Sequence, residues 1–175
     1  MTIKSLIRTV PHYPKQGVLF RDITTLLKDA VGFRLMVGEL VKRYENQQIR
    51  KVVAIESRGF IIGAALAFQL GAGFVPIRKK GKLPAETRGL DYDLEYGSDR
   101  VEIHVDAITC AEKVLLVDDL LATGGTAEAS SKLIQECGAE VIECCFVIAL
   151  PQLGGRSRLE ALGLRVFALC EFEGE

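Results

Sequence analysis

Residues 114–126 read "VLLVDDLLATGGT": an apolar run ends in two adjacent carboxylates, Asp118 and Asp119, and a Gly-Gly turn flanked by threonines follows. Like charges side by side repel, and a buried pair is costly unless cations or donors meet it. Facing a cleft, the pair can accept hydrogen bonds from a diol and lie near a hydrated cation. The turn "ATGGT" offers consecutive main-chain N–H groups without bulky side chains and opens onto a predicted helix. Oriented amides, hydroxyls and the helix dipole in that setting hold a phosphate. A diol acceptor beside a phosphate cradle fits a ribose 5-phosphate. Rival phosphate motifs are missing: no GxxxxGK[ST] occurs, and "GAGFVP" breaks GxGxxG at its last glycine and leads into a strand.

Cations gather at two other places. Arg58 stands in "ESRG", directly after the β-branched run "KVVAI" (51–55), where the amides around Ser57 are available to an anion. Arg78, Lys79 and Lys82 follow the apolar run "GFVPI" (73–77). Surface lysines are ordinarily just solvated, but a cluster behind a strand in a nearly neutral chain suits phosphate oxygens. With only His12 and His104, a histidine-rich metal site or a Ser-His-Asp triad has little to draw on.

The elements that must position these residues follow from periodicity. Short apolar runs at 51–55, 73–77, 113–117 and 140–150 read as strands. Helical spacing covers 29–48, with Phe33, Met36, Val37, Leu40, Val41 and Tyr44 on one face, and again 60–70 and 126–136. A last helix and strand fit within 156–169. Strands alternating with helices predict a parallel α/β sheet with right-handed crossovers, whose ligands sit beyond the carboxyl ends of the strands. The polar segment after residue 77 breaks this rhythm and ends in strict alternation, a β-hairpin. Tyr92, Leu94 and Tyr96 share one of its faces, and Asp93 and Glu95 the other.

Composition bounds the rest. The 175 residues suit a single domain, 1–175, and 49% apolar with 26% charged residues is globular. A formal net charge of −1 gives no support to a nucleic-acid surface. No apolar stretch nears the ~20 residues that span a bilayer. The N-terminus lacks a signal-peptide core, and five cysteines without a CxxC read as reduced thiols, so a cytoplasmic protein is expected.

"VLLVDDLLATGGT" resembles the phosphoribosyl pyrophosphate motif of the type I phosphoribosyltransferases. "YPKQGVLFRDIT", "ESRGF", "VPIRKKGKLP" and "YDLEYG" are similar, in order and spacing, to the adenine-using branch of that family, from about residue 4 to 170. The resemblance implies an α/β parallel-sheet core flanked by helices, with an N-terminal hood (about 1–28) and a flexible β-hairpin lid (about 81–104). The implied activity moves ribose 5-phosphate from phosphoribosyl pyrophosphate to N9 of adenine, yielding AMP and pyrophosphate. A relative using another base, or a non-catalytic sensor of the donor, are the alternatives.

By the same resemblance Asp118 and Asp119 meet the ribose hydroxyls, and Ala122, Thr123, Gly124, Gly125 and Thr126 cradle the 5-phosphate. Ser57, Arg58, Arg78, Lys79 and Lys82 meet pyrophosphate, beside a cis peptide at Glu56–Ser57. Arg78 can reach across a homodimer interface. Glu95, by itself a surface hairpin residue, becomes the acid/base at the imidazole edge of adenine. Phe20 stacks on the base over an apolar floor at Leu120, and main-chain groups around Leu19 and Arg21 read the exocyclic amine. Mg2+ is the implied cofactor, carried by the substrate without direct protein ligands. Thr25 stands where relatives commonly have proline.

Overall fold

The computed structural model describes residues 2–94 and 96–174. After a 3-10 turn at Lys4–Leu6 the chain forms β1 (Arg8–Pro11), β2 (Leu19–Asp22), α1 (Thr24–Leu27), α2 (Ala30–Tyr44), β3 (Lys51–Ile55), α3 (Arg58–Leu70) and β4 (Gly73–Lys79). Then come β5 (Thr87–Asp93), β6 (Ser98–His104), β7 (Lys113–Leu121), α4 (Gly125–Glu136), β8 (Glu140–Ala149), α5 (Gly155–Glu160) and β9 (Val166–Glu171). The main sheet has seven strands in the order β5-β6-β4-β3-β7-β8-β9, and β1 and β2 form a separate two-stranded ribbon.

The sheet is parallel from β4 to β9, as the strand–helix alternation predicts. Its central strands are apolar without alternation because both faces are covered. Cys144 and Cys145 of β8 show this: one packs into the core under α4 and α5, its neighbour into the core under α2 and α3. Burial pushes both thiols up to about 12.

Local chemistry sets the helix ends. The Asp29 side chain accepts from the Gly32 N–H at 2.6 Å and so caps α2, while α3 stops at Gly71 in the left-handed region (φ 65°). The small residues of α3 let it lie close on the sheet; a Cβ on Gly63 would stand 2.6 Å from the Ala54 Cβ. Among the described residues no helix is long and apolar enough to cross a membrane.

Chain connections run outward in opposite directions from β3 and β7, which are neighbours. From β3 the chain crosses through α3 to β4; from β7 it crosses through α4 to β8. That divergence opens a crevice at the carboxyl ends of β3 and β7. Three local features differ from the periodicity reading. Strand β7 runs on through Leu121 instead of ending at Val117, because Asp118, Leu120 and Leu121 continue to pair with β8. Its pairing with β3 stops at Val117, so the other edge of 118–121 faces the crevice. The β5–β6 hairpin, which alternation predicts without giving it a partner, extends the main sheet: β6 pairs antiparallel with the end of β4, and Val101 and Ile103 are buried. The β1–β2 ribbon had no counterpart in the periodicity.

Candidate active site

The crevice holds two joined cavities. One, about 260 Å3, is lined by Glu56, Ser57, Arg58, Lys79, Asp118 and Asp119, among others; the second, about 120 Å3, lies in the turn from Ala122 to Thr126. Asp118, Leu120 and Thr126 line both. Two helix N-termini open here, α3 at Ser57 and α4 at Gly124, and neither has a side-chain cap. Their first N–H groups and the helix dipoles therefore remain available to anions. Gly124 adopts φ 82°, which turns the chain sharply enough to aim the α4 amides into the smaller cavity.

Asp118 and Asp119 solve their repulsion differently. Asp119 is buried and accepts from Arg58 Nε at 2.5 Å. Asp118 accepts only the Asp119 N–H, at 2.8 Å, among the described contacts. Burial, then the neighbouring Asp119 charge, raise its carboxyl well above the ordinary carboxylate value. The adjacent Gly59 is required by this closeness: a Cβ there would stand 2.9 Å from Asp118 Oδ1.

The cation cluster is organised by a residue that motif reading passed over. Glu56 accepts from Arg78 Nε (3.2 Å), the Lys79 N–H (2.9 Å) and Lys82 Nζ (2.9 Å). Burial opposes its ionisation, but the Lys82 and Lys79 hydrogen bonds and the Arg78 charge hold its carboxyl below the ordinary value. Its signal was present, a charged residue ending a buried strand just before Arg58. The Glu56–Ser57 peptide is cis, as the resemblance implied. Lys79 is held by Asp99 and by the Tyr92 hydroxyl (2.5 Å), and Thr126 Oγ1 donates to that same hydroxyl at 3.2 Å. Tyr92 thus ties the hairpin to both cavities. Strand alternation placed it on one hairpin face with Leu94 and Tyr96 without giving it a task.

The ribbon stands beside this crevice. Pro11, which has no N–H, lies opposite Leu19, so the ladder bonds fall at Val10–Phe20 and Arg8–Asp22. The main-chain groups of Leu19 and Arg21 consequently point away from β1. The Phe20 ring has Arg58 Cζ at 5.7 Å and the Tyr13 ring edge-on at 5.2 Å. Arg8, then Thr24, hydrogen-bond Asp22 and hold its carboxyl at about 2. Thr25 fills the place of proline with a hydroxyl that donates to Leu6 O at 2.6 Å and accepts from the Arg8 N–H at 3.2 Å.

The structure therefore brings together Ser57, Arg58, Lys79, Asp118, Asp119, Leu120 and the 122–126 turn. Arg78 and Lys82 stand just outside the lining, attached through Glu56. Leu19 and Arg21 turn their side chains away from the crevice, leaving main-chain groups as their means of contact. Glu95 lies outside the described residues.

A parallel sheet with two uncapped helix N-termini, an acid pair and a cation cluster at its switch point is the architecture of a phosphoribosyltransferase. The family model "Phosphoribosyl transferase domain" matches residues 32–165. The chain is 69% identical over 174 residues to the adenine phosphoribosyltransferase of Nitrosospira multiformis, covering 99% of each. Among solved structures, adenine phosphoribosyltransferase from Rhodothermus marinus is 49% identical with a TM-score of 0.91, covering 97% of this chain and 96% of that one. The Saccharomyces cerevisiae enzyme, complexed with an imino-altritol bisphosphate and adenine, is 38% identical with a TM-score of 0.90 and 96% coverage of both chains. The chain belongs to the phosphoribosyltransferase family and, within it, to the adenine phosphoribosyltransferases.

Proposed function

We propose that the protein transfers ribose 5-phosphate from phosphoribosyl pyrophosphate to N9 of adenine, forming AMP and releasing pyrophosphate in purine salvage. One observation carries the residue assignments: two uncapped helix N-termini, the acid pair and Arg58 converge on one crevice with Phe20 held beside it. The 122–126 turn takes the 5-phosphate on the α4 amides. Asp118 and Asp119 accept from the ribose hydroxyls. Ser57, Arg58 and Lys79 receive the pyrophosphate at the α3 N-terminus, and Arg78 and Lys82 exchange Glu56 for its oxygens. Phe20 stacks on adenine above Leu120, and the free main-chain edge at Leu19 and Arg21 reads the exocyclic amine.

The leaving pyrophosphate gathers negative charge while the ribose becomes oxocarbenium-like. Catalysis by this chain is then mostly positioning plus charge stabilisation by groups already in place. Among the described residues no three His, Cys, Asp or Glu side chains converge to hold a metal. Asp118, whose ionisation burial and Asp119 oppose, is a carboxylate that a substrate-borne cation would satisfy, and Mg2+ fits that place. When bound it would supply charge neutralisation on the donor's oxygens. The β5–β6 hairpin, whose base pairs with the end of β4 at Glu102 and Val101, serves as the lid, and its closure would exclude water.

Adenine donates from its 6-amino group where a 6-oxopurine accepts, so the wrong base leaves buried polar groups unpaired. Adenine is expected to exceed hypoxanthine in kcat/KM by about 10^4-fold in a spectrophotometric turnover assay. Equal turnover of the two would refute the base assignment. Glu95, assigned by resemblance, takes up the purine proton; Glu95→Gln is expected to lower kcat about 10^2-fold while donor affinity, read by titration, stays within about twofold. Unchanged kcat would remove it from that role.

A homodimer is supported by an apolar surface beside α2 and α3. A groove of about 640 Å3 runs between these helices, and Phe68 at its rim is 83% exposed. Phe68→Asp is expected to shift the light-scattering mass towards that of one chain. A mass already monomeric in the parent would end this assignment. Five unpaired thiols, two of them in the core, support a cytoplasmic setting.

A further inference from the structure

Strand β2 has two faces. Phe20 looks toward Arg58, and Leu19 and Arg21 look the opposite way, onto the last residues of the chain. There Arg21 is nearly buried, at 8% exposure. Nη2 donates to the Glu173 carbonyl at 2.9 Å and Nη1 to Thr9 Oγ1 at 2.6 Å, while Cζ lies 4.6 Å from the Phe172 ring centroid. Among the described residues its buried Nε has no hydrogen-bond partner. Leu19 Cδ1 is 3.6 Å from where a Cβ on Gly174 would stand. The tail is itself fixed to the core: the Phe172 N–H donates to Ala149 O and the Gly174 N–H to Gln152 Oε1, both at 3.1 Å.

A two-stranded ribbon is marginal by itself, so its position must be imposed by what packs on it. Burying a guanidinium against a carbonyl, a hydroxyl and a ring, with one donor unmet, is a poor way to gain stability. It is a good way to fix a position, because several directional contacts must all be satisfied at once. We propose that residues 172–174 form a latch that sets the height of β2 over the crevice. Phe172 and Arg21 are its positioning residues. Through them the tail governs the stacking distance of Phe20 and the aim of the main-chain edge toward the base. The latch rests on the assignment of adenine to the space beneath Phe20.

The test compares Phe172→Ala, Phe172→Tyr, Arg21→Lys and Phe20→Ala in the full chain by steady-state kinetics, varying adenine and donor separately. Phe172→Ala is expected to raise KM for adenine about tenfold, leaving kcat and donor KM within about twofold. Phe172→Tyr keeps the ring face and should restore the parent value. Arg21→Lys, which cannot reach both partners, should raise adenine KM in the same direction, and it decides the matter if Phe172→Ala does not fold. Equal rises in both KM values, or an unmoved adenine KM in Phe172→Ala and Arg21→Lys, would overturn the latch. An unmoved adenine KM in Phe20→Ala would overturn the base site beneath it as well.

Discussion

Asp119→Ala is expected to lower kcat/KM for phosphoribosyl pyrophosphate by about 10^3-fold. The substitution removes the acceptor proposed for the ribose and the partner that holds Arg58 at 2.5 Å. Hydrogen bonds to charged groups contribute about 1.5–3 kcal/mol each, so losing two amounts to about 4 kcal/mol. The Arg58 side chain left behind, 43% exposed, is no longer aimed at the proposed pyrophosphate position. Asp118→Asn should behave differently. The folded chain holds the Asp118 carboxyl above its ordinary value, by burial and by Asp119, so the folded state binds the proton more tightly than the unfolded one. Stability from this group is present at low pH and declines as pH rises past the ordinary carboxylate value toward the raised one. Above the ordinary carboxylate value the donor-free protein is therefore penalised at this group, and Asp118→Asn is expected to raise its Tm at neutral pH while retaining the Asp119 N–H bond. Donor-varied kinetics and thermal melts separate the two. An Asp119→Ala variant within tenfold of the parent, or an Asp118→Asn variant that melts lower, would contradict these roles.

Gly155→Ala is expected to destabilise the fold by about 3 kcal/mol, a fall in Tm of about 10 °C, and to raise donor KM at least about tenfold. A Cβ at 155 would stand 2.3 Å from the Ala122 carbonyl oxygen and 2.8 Å from Leu121 Cδ1. The Gly155 N–H donates to that same carbonyl at 3.0 Å, so α5 buttresses the 122–126 turn by direct main-chain contact. The obstacle is main chain, which cannot swing aside as a side chain can, and the turn itself must move. Its neighbour is the control. Gly154 has φ 78°, and a methyl group there would meet nothing within 4 Å, so Gly154→Ala incurs only the left-handed backbone cost of about 1 kcal/mol. Donor KM should then be unchanged. Equal effects at the two positions would show that close approach to Ala122 is not what demands glycine.

The acid pair, the Gly-Gly turn and Arg58 were legible because each stands at or just beyond the end of a short apolar run, and in a parallel sheet all such ends share one edge. Elements that depend on distant partners were not. The extension of β7 to Leu121 requires β8, whose partners Ile148 and Ala149 lie almost thirty positions further along. The union of the hairpin with β4 pairs Arg78 with Glu102, an exchange that no local period announces. Glu56 read as a charged turn residue until Arg78, Lys79 and Lys82 came to face it.

The sequence by itself determined the fold class, the motif proposed to bind the donor and the residue types available to it, because strand periodicity and turn chemistry act over a few neighbouring positions. Tertiary structure alone decided how the charges are shared. Arg58 is given to Asp119 and not Asp118, Lys79 to Asp99 and Tyr92, and Arg21 to the end of the chain. The physical reason is that an ion pair or hydrogen bond is fixed by distance and burial, and both are set by packing between elements far apart in the sequence.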